Sequence, residues 1–276
     1  MKPRITACLV YCLACAIALA FLYPFIWMVT SSFRTQEAIL STPLRLWPET
    51  FDLSGFEALG RIGGVPLRDY AVNSIVITGL ATALGVCITG LGAYALHRNP
   101  RLPLFSIIRY GFLIKVMYPN MLLVIPLYFV AHKLGLLGTM LGIVLVISTV
   151  PLVFFLFVEF FRSIPVEMIE AARIDGASEW QILMRIILPL ARPVVLTGIL
   201  ISFLLTWKQW FPIMVLSIGP ETHTLPIALV SLNSEFGVNF QAIMALAALT
   251  VLPVLLLFLL TQWRVMDGFM VGGVKG

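Results

Sequence analysis

Long apolar stretches alternate with short polar segments along the whole chain. Six of these stretches have about the ~20 residues that a helix needs to cross a hydrocarbon core. They lie at about 7–31, 71–95, 106–130, 138–158, 194–216 and 241–263. The pattern predicts one all-α, polytopic membrane domain over residues 1–276, with six transmembrane helices.

Composition supports a bilayer as the solvent for most of the chain. Hydrophobic residues make up 60% of it and charged residues 11%, with a mean hydropathy of +1.02. Soluble domains have about 45–50% apolar residues. The first stretch resembles a signal peptide, with Lys2 and Arg4 before an apolar run, but the run continues to about Thr30. We therefore expect an uncleaved first helix.

The basic residues outside the spans predict the orientation. With both termini inside, the cytoplasmic set is Lys2, Arg4, Arg98, Arg101, Arg109, Arg162, Arg173, Arg185, Arg192, Arg264 and Lys275. The smaller outer set is Arg34, Arg45, Arg61, Arg68 and Lys133. This asymmetry favours an N-in, C-in arrangement. It also accounts for the net charge of +5 without a nucleic-acid partner.

Two sets of potential metal ligands are interpreted as structural. Cys8, Cys12, Cys15 and Cys87 all lie inside predicted spans, where small packing residues are expected rather than a disulfide or a metal site. The histidines lie near loops and are interpreted as interfacial polar residues: His97, His132 and His223.

Two other segments carry structural expectations. The outer segment Ser32–Tyr70 contains Pro, Gly and aromatic residues that suggest short turns and helices, either as an ordinary connection or as a cap over a pathway. In the second span, Ala81, Gly85 and Thr89 recur every four residues. That spacing predicts a thin face that packs closely on another helix, in this chain or a partner.

A polar segment at about 160–193 interrupts the apolar pattern between the fourth and fifth spans. Pro165 suits a first helical turn, and Glu167 and Glu170 suit the positive end of a helix. Asp175 and Gly176 provide a stop, since glycine adopts the left-handed conformation that ends helices. We expect a helix of about ten residues.

A second helix is predicted directly after this stop. Ser178 and Gln181 have the spacing of a capping box. Trp180, Leu183, Met184 and Ile187 recur with helical spacing and predict one apolar face. Pro189 and Pro193 end or kink this helix before the fifth span.

The polar segment has two interpretations. It could be a hairpin lying on lipid headgroups. However, the first helix is acidic, whereas a helix facing anionic lipid would be basic. Its alanines also give a slim surface that suits a groove. A docking element for another protein explains both features.

At this point the residues resemble a known family. Glu170, Ala171, Ala172, Asp175, Gly176 and Ala177, followed by Ile186, Leu188 and Pro189, are similar to the EAA signature of the inner-membrane permease subunits of binding-protein-dependent ABC importers. Further similarity lies in "NSIVIT", "IPLYFV", "LPVLLLFLLTQ" and the terminal "GGVKG". The chain resembles the carbohydrate-uptake branch, in particular the maltose-system subunit with a short C-terminal tail.

The resemblance implies partners and roles. The helix around Glu170 would be a coupling helix in a cleft of the ATPase subunit, with Glu170 paired to a basic residue there. The tail Gly272–Gly276 would also reach toward the ATPase dimer. A second homologous permease, two ATPase subunits and an extracytoplasmic solute-binding protein would complete the complex in a bacterial inner membrane.

Missing motifs exclude other chemistry. The chain has no G-x-x-x-x-G-K-[ST] loop, so ATP and magnesium would be bound by the partner ATPase, with no cofactor on this chain. It also lacks H-E-x-x-H and G-x-S-x-G, so a catalytic role is not expected. A self-contained secondary transporter is the alternative, but it leaves the acidic cytoplasmic helix unexplained.

Two lysines lie inside predicted spans. Lys115 is about nine residues into the third span, ~14 Å along the helix, and Lys208 is in the outer part of the fifth. No clear intrachain partner is expected for either. Charge at a span centre costs at least ~2.5 kcal/mol, which suggests a function, although snorkelling to the interface is the alternative.

The fifth span departs from the family pattern. Where the family has a Trp-Asn-Glu or Trp-Asn-Gln-like motif, this chain has Trp207-Lys208-Gln209-Trp210. We therefore expect an electropositive pathway for an anionic solute, such as a uronate oligosaccharide or a glycerol phosphate derivative. Its candidate residues are Lys115, Asn120, Trp207, Lys208 and Gln209.

Overall fold

The computed structural model describes residues 2–99, 101–232 and 239–272, without the side chains of residues 2–6, 8, 120 and 263–272. Its helices are α1 (Lys2–Ser31), α2 (Gln36–Ser41), α3 (Ser54–Glu57), α4 (Leu67–Arg98), α5 (Pro103–Met117), α6 (Asn120–Lys133), α7 (Met140–Ser148), α8 (Pro151–Arg162), α9 (Val166–Ile174), α10 (Glu179–Ile182), α11 (Leu188–Leu190), α12 (Arg192–Trp207), α13 (Trp210–Leu216), α14 (Leu225–Leu232) and α15 (Phe240–Gly272). A π-helical turn, Leu183–Ile187, joins α10 to α11. The predicted all-α class is confirmed.

Short non-α elements complete the chain. Two 3₁₀ turns cover Ala58–Gly60 and Pro220–Thr222. Strands β1 (Arg61–Ile62) and β2 (Val65–Pro66) form an antiparallel hairpin that the sequence did not predict. The short helices expected in the segment Ser32–Tyr70 are present as α2 and α3.

The chain forms two compact units. The first comprises Met1–Arg68 and Ala228–Pro253, and the second comprises Asp69–Ile227 and Val254–Gly276. The second unit contains the polar segment and the two lysines of the predicted spans, Lys115 and Lys208.

In the first unit, a buried arginine organises the segment after α1. Arg34 is only 2% exposed. Its guanidinium donates to the carbonyl oxygens of Ala38, Thr42 and Arg45 at 2.5–2.8 Å, and to the Thr42 hydroxyl at 2.8 Å. These bonds add to the backbone hydrogen bonds that the Ala38 and Thr42 carbonyls already accept, and they tie the end of α2 to the following residues through Arg45.

The same unit fastens α3 to the start of α15. The backbone N–H of Ser54 donates to the Asp52 carboxylate at 2.8 Å, and this bond is the main reason that the pKa of Asp52 lies below its usual range. The Ser54 hydroxyl donates to the side-chain oxygen of Gln241 at 3.0 Å. Gln241 in turn donates to the Asp52 carbonyl at 3.1 Å.

In the second unit, α4 packs on α7 through the predicted small-residue face. Ala81 and Thr89 are buried, and a Cβ on Gly85 would collide with the backbone carbonyl of Ser148. The close helix approach that the four-residue spacing predicts is therefore confirmed within this chain.

Within the described residues, three helices are long and apolar enough to cross a membrane: Leu9–Ser31, Leu67–Arg98 and Phe240–Gln262. Bent pairs raise the number to as many as five: Met140–Ser148 with Pro151–Arg162, at 50°, and Glu179–Leu190 with Arg192–Trp207, at 72°. Two helices occupy each of the regions predicted as single spans at 106–130, 138–158 and 194–216.

Prolines account for the three breaks. The residue before a proline is forced toward extended backbone. Accordingly, Tyr118 before Pro119 has ψ 134°, and Val150 before Pro151 has ψ 109°. The third break, at Lys208, lies four residues before Pro212, whose ring would clash with the Lys208 carbonyl in a continuous helix.

Candidate functional site

The three helix breaks line one cavity of about 590 Å³ in the second unit. Its wall includes the end of α5, the start of α6, the break between α7 and α8, and the break between α12 and α13. Of the residues predicted for a solute pathway, Lys115, Lys208 and Gln209 line this cavity together. The sequence placed Lys115 in the third predicted span and Lys208 and Gln209 in the fifth, and the structure brings all three to one cavity.

Lys115 has an intrachain partner that the sequence did not predict. Its Nζ donates to the carbonyl oxygen of Thr149 at 2.7 Å and to the Thr149 hydroxyl at 2.5 Å. Thr149 is the C-cap of α7, and its carbonyl is free because the chain leaves the helix before Pro151. The expectation of no clear partner considered carboxylates only. A broken helix supplies a carbonyl instead, at the negative end of its dipole.

Lys208 differs from Lys115. It is the C-cap of α12 and its side chain is exposed. Over the residues that the structure describes, its ammonium group makes no hydrogen bond or ion pair. The neighbouring Gln209 and Trp210 line the same cavity.

The other two pathway candidates are placed differently. Trp207 is 6% exposed, stacks on Phe203 with ring centroids 5.4 Å apart, and is not a lining residue of the cavity. Trp210, at the start of α13, lines the cavity together with the aromatic residues Tyr118 and Phe211. The backbone of Asn120 begins α6, but its side chain lies outside the described part of the chain.

Two helices begin at the cavity without a side-chain cap. The N-caps are Pro119 for α6 and Val150 for α8, and neither side chain accepts a hydrogen bond from the first turn. The N-terminal end of a helix carries partial positive charge. The same breaks also hold the negative C-terminal ends of α5, α7 and α12, so the positive charge of the cavity wall comes from Lys115 and Lys208.

A second, mostly apolar cavity of about 480 Å³ adjoins the first. It lies among α5, α6 and α7. Lys115 and Thr149 line both cavities. Lys115, Thr149 and the hydrogen bonds between them therefore lie where the two cavities meet.

The polar segment after α8 has the predicted helix and stop. Helix α9 follows Pro165 and is capped by Asp175, and Gly176 has φ 80°. Glu170, Ala171, Asp175 and Gly176 are exposed. A backbone φ near +80° is strained for any residue with a Cβ. The turn therefore favours glycine, even though a Cβ at position 176 would meet no atom within 4 Å.

One side of α9 is buried. Ile169 and Ala172 belong to a hydrophobic core that also contains Phe161 and Phe157 of α8. The core continues along α8 to Val150, which lines the cavity. Helix α8 has 12 residues, or about 18 Å, so one packed core extends from the cavity to α9.

The predicted capping box is confirmed. The Gln181 N–H donates to the Ser178 hydroxyl at 3.3 Å, and the Ser178 N–H donates to the Gln181 side-chain oxygen at 2.8 Å. The sequence did not predict that the adjacent Glu179 forms two salt bridges. Glu179 accepts from Arg98, at the end of α4, at 3.1 Å, and from Arg173 of α9.

The predicted apolar face of the second helix is wrong in part. Trp180 and Met184 are exposed, whereas Ile182 and Ile187 are buried. The reason is the π-turn, in which the N–H of Leu188 bonds to the Leu183 carbonyl, five residues back. This turn brings residues five apart onto one side.

The end of the signature lies at this π-turn. Ala177 and Ile186 are half-buried against the core, and Leu188 and Pro189 are exposed. A wider turn is expected before Pro189, because proline has no N–H for a bond four residues back. Within the terminal tail, residues 273–276 lie outside the described residues. The roles of these signature residues stay predictions.

Comparison with known proteins places this geometry in context. Residues 85–265 match a family described as the inner membrane component of binding-protein-dependent transport systems. The inner membrane ABC transporter permease protein YcjP of Escherichia coli is 30% identical over 268 residues, covering 96% of this chain and 95% of that protein. The sulfoquinovosyl glycerol transport system permease protein SmoH of Agrobacterium fabrum is 28% identical over 257 residues, covering 92% and 89%.

A solved structure shares the fold. It is a crystal structure of a bacterial ABC transporter involved in the import of the acidic polysaccharide alginate. One of its chains matches with a TM-score of 0.76 and 24% identity, covering 95% of this chain and 97% of that chain.

Proposed function

Because the chain belongs to the inner membrane components of binding-protein-dependent transport systems, we propose that it is the permease subunit of an ATP-driven importer of a sugar or sugar-like solute. It forms half of the translocation pathway. The observation that carries the proposal is the family match over residues 85–265. The convergence of three broken helices on one cavity with two lysines agrees with a solute pathway, since discontinuous helices also form solute sites in secondary transporters.

The proposed membrane arrangement has six crossings with both termini in the cytoplasm. The three long helices each cross once, and the pairs α5–α6, α7–α8 and α12–α13 each form one broken crossing. Non-helical backbone is tolerated at membrane depth only where it is buried or lines a cavity. All three breaks line the same cavity, which supports their place within the membrane.

In this proposal, α9 and the turn at Gly176 couple the permease to its ATPase. The exposed Glu170 and Ala171 provide a narrow, acidic surface for a cleft in the ATPase, while Ile174 adds an apolar side chain that is 87% exposed. The opposite side of α9 is fixed in the core that runs along α8. Displacement of α9 would thus be transmitted as a rigid movement to the cavity.

The proposed complex contains a second homologous permease, two ATPase subunits and an extracytoplasmic solute-binding protein. ATP and magnesium bind to the ATPase subunits, because this chain lacks the phosphate-binding loop. Helix α1 exposes most of its apolar side chains, which is compatible with a contact to the second permease. Its side chains require lipid or another subunit.

The proposed solute carries negative charge. Lys115 and Lys208 line the cavity and are the charged residues among those that the structure places in its wall. The ABC transporter whose chain shares this fold is involved in the import of an acidic polysaccharide, alginate. Trp210 provides a surface on which a sugar ring can stack.

A pull-down of the intact complex from membranes tests the function. The wild type should recover an ATPase, a second permease and a solute-binding protein, and its ATPase activity should be stimulated by the loaded binding protein. Glu170→Lys should lose or uncouple the ATPase, because it reverses a charge at the proposed contact.

Glu57→Lys is the matched control, since Glu57 is an exposed acid on α3 in the other unit. It should leave the complex intact. An active transporter that purifies alone and responds to neither ATP nor Glu170→Lys would refute the proposal and favour a secondary transporter.

A further inference from the structure

The two lysines of the cavity differ in the hydrogen bonds they make. Lys115 uses two of its three ammonium protons on Thr149. Lys208 has no such partner within the described part of the chain, although it lines the same cavity. A lysine that already satisfies a backbone carbonyl must break that bond before it can bind a solute. A lysine without a partner can bind at once.

The bond of Lys115 has a structural purpose. The chain leaves helical geometry at Thr149 and Val150, so the Thr149 carbonyl has no partner within α7. An unsatisfied carbonyl at membrane depth is strongly destabilising, because no water is present to bind it. Lys115 of α5 supplies the missing donor from 34 residues away, and so fixes the break between α7 and α8 relative to α5.

The surroundings of Lys208 suit recognition. It caps the end of α12, where the helix dipole favours a positive charge. The adjacent Gln209 and Trp210 provide an amide and an aromatic ring at the same wall. Together these three residues suit a sugar ring with one acidic substituent. The Lys208 ammonium would bind the acidic group, the Gln209 amide would bind a hydroxyl, and the Trp210 indole would stack on the face of the ring.

We propose that Lys208 is the residue that determines specificity for an anionic group on the solute, while Lys115 is a positioning residue that holds the α7–α8 break. This inference rests on the proposed function and refines it, because it assigns the charge selectivity to one lysine. The preference for an acidic over a neutral solute should therefore depend on Lys208, and the shape of the cavity should depend on Lys115.

Chemical labelling tests the difference without knowledge of the natural solute. The intact complex is treated with trinitrobenzenesulfonate, an anionic amine reagent, and each lysine is quantified by mass spectrometry. Lys208 should react at a rate close to that of the exposed Lys133 at the end of α6, and Lys115 should be protected at least tenfold. Thr149→Val should increase labelling of Lys115 and leave Lys208 unchanged. Equal labelling of Lys115 and Lys208 in the wild type would overturn the assignment.

Transport tests the selectivity. The complete complex in proteoliposomes is given a uronate disaccharide and its carboxyl-reduced, neutral counterpart. Lys208→Gln should raise the half-saturating concentration of the acidic sugar about tenfold, as expected from the loss of one charged hydrogen bond. Uptake of the neutral sugar should not change. Lys208→Arg should restore most of the preference, whereas Lys133→Gln should have no effect.

Lys115→Met should behave differently from Lys208→Gln. It should reduce uptake of both sugars by the same factor, because it loosens the cavity without altering the recognition of charge. If Lys208→Gln leaves the ratio of acidic-sugar to neutral-sugar uptake unchanged while transport still requires ATP, the inference is wrong. Lys208 then only extends its ammonium group to the membrane–water interface. If uptake of both sugars is independent of ATP, the proposed function itself fails.

Discussion

The cavity and the turn after α9 both contain backbone groups that have no regular helical hydrogen-bond partner. The partners that they bond to instead lie at different separations along the sequence. In the turn, the Ser178 N–H bonds to a side chain three residues away, and the Ala177 N–H bonds to the Ala172 carbonyl. In the cavity, the Thr149 carbonyl accepts from Lys115, which is 34 residues away on another helix.

This difference has a mechanical consequence. A turn with local partners keeps its form when the surrounding helices move. A break that depends on a distant lysine keeps its form only while the two helices stay in register. We therefore expect the α9 turn to move as a rigid body and the cavity to change shape during transport.

The largest expected effect comes from Gly85, at the close contact between α4 and the end of α7. Gly85→Ala should lower the stability of the protein by about 2–3 kcal/mol, because the added Cβ collides with the Ser148 carbonyl, which cannot move without disturbing the adjacent Thr149. Thermal unfolding of the purified complex in detergent measures the change.

Gly79→Ala on the same helix provides the control. A Cβ at position 79 meets no atom within 4 Å. Alanine also favours a helix over glycine by about 1 kcal/mol, so this variant should be neutral or slightly more stable. Equal stability for the two variants would contradict the close packing of α4 on α7.

A smaller effect is expected at Gly176, where the perturbation is purely local. Gly176→Ala should cost about 1–2 kcal/mol, because φ 80° is unfavourable for an L-residue while the added Cβ touches nothing. We expect a modest fall in the melting temperature and a larger fall in ATPase stimulation. Both are measured on the reconstituted complex.

Gly176→Asn sharpens this result. Asparagine tolerates the left-handed conformation better than alanine does. It should therefore recover part of the ATPase stimulation. If alanine and asparagine reduce the stimulation equally, the loss comes from side-chain bulk at the ATPase contact and not from backbone strain.

The features that the sequence predicts well are those with nearby partners. Ser178 and Gln181 are three residues apart, and the stop at Asp175 and Gly176 depends only on adjacent conformation, so residue type and spacing were sufficient. The small face of α4 was also predictable, because four-residue spacing on one helix defines it.

Features that depend on distant contacts were not predictable from spacing. The bond from Lys115 to Thr149 requires α5 and α7 to be packed together, and no sequence pattern records that packing. The buried Arg34 was likewise counted only as an outer charge. The apolar face of the second helix was misplaced because the π-turn alters the helical period.

The smallest expected effect is at Ser178, the N-cap of α10. Ser178→Ala should cost about 1 kcal/mol, because the Gln181 N–H loses its acceptor and no other helix depends on this bond. Ser178→Asp keeps an acceptor at the same position and should retain nearly full stability in thermal unfolding. If Asp destabilises as much as Ala, the hydroxyl proton rather than the cap is required. If Ser178→Ala also changes the labelling of Lys115, the turn is not mechanically independent of the cavity, and the contrast between local and distant partners fails.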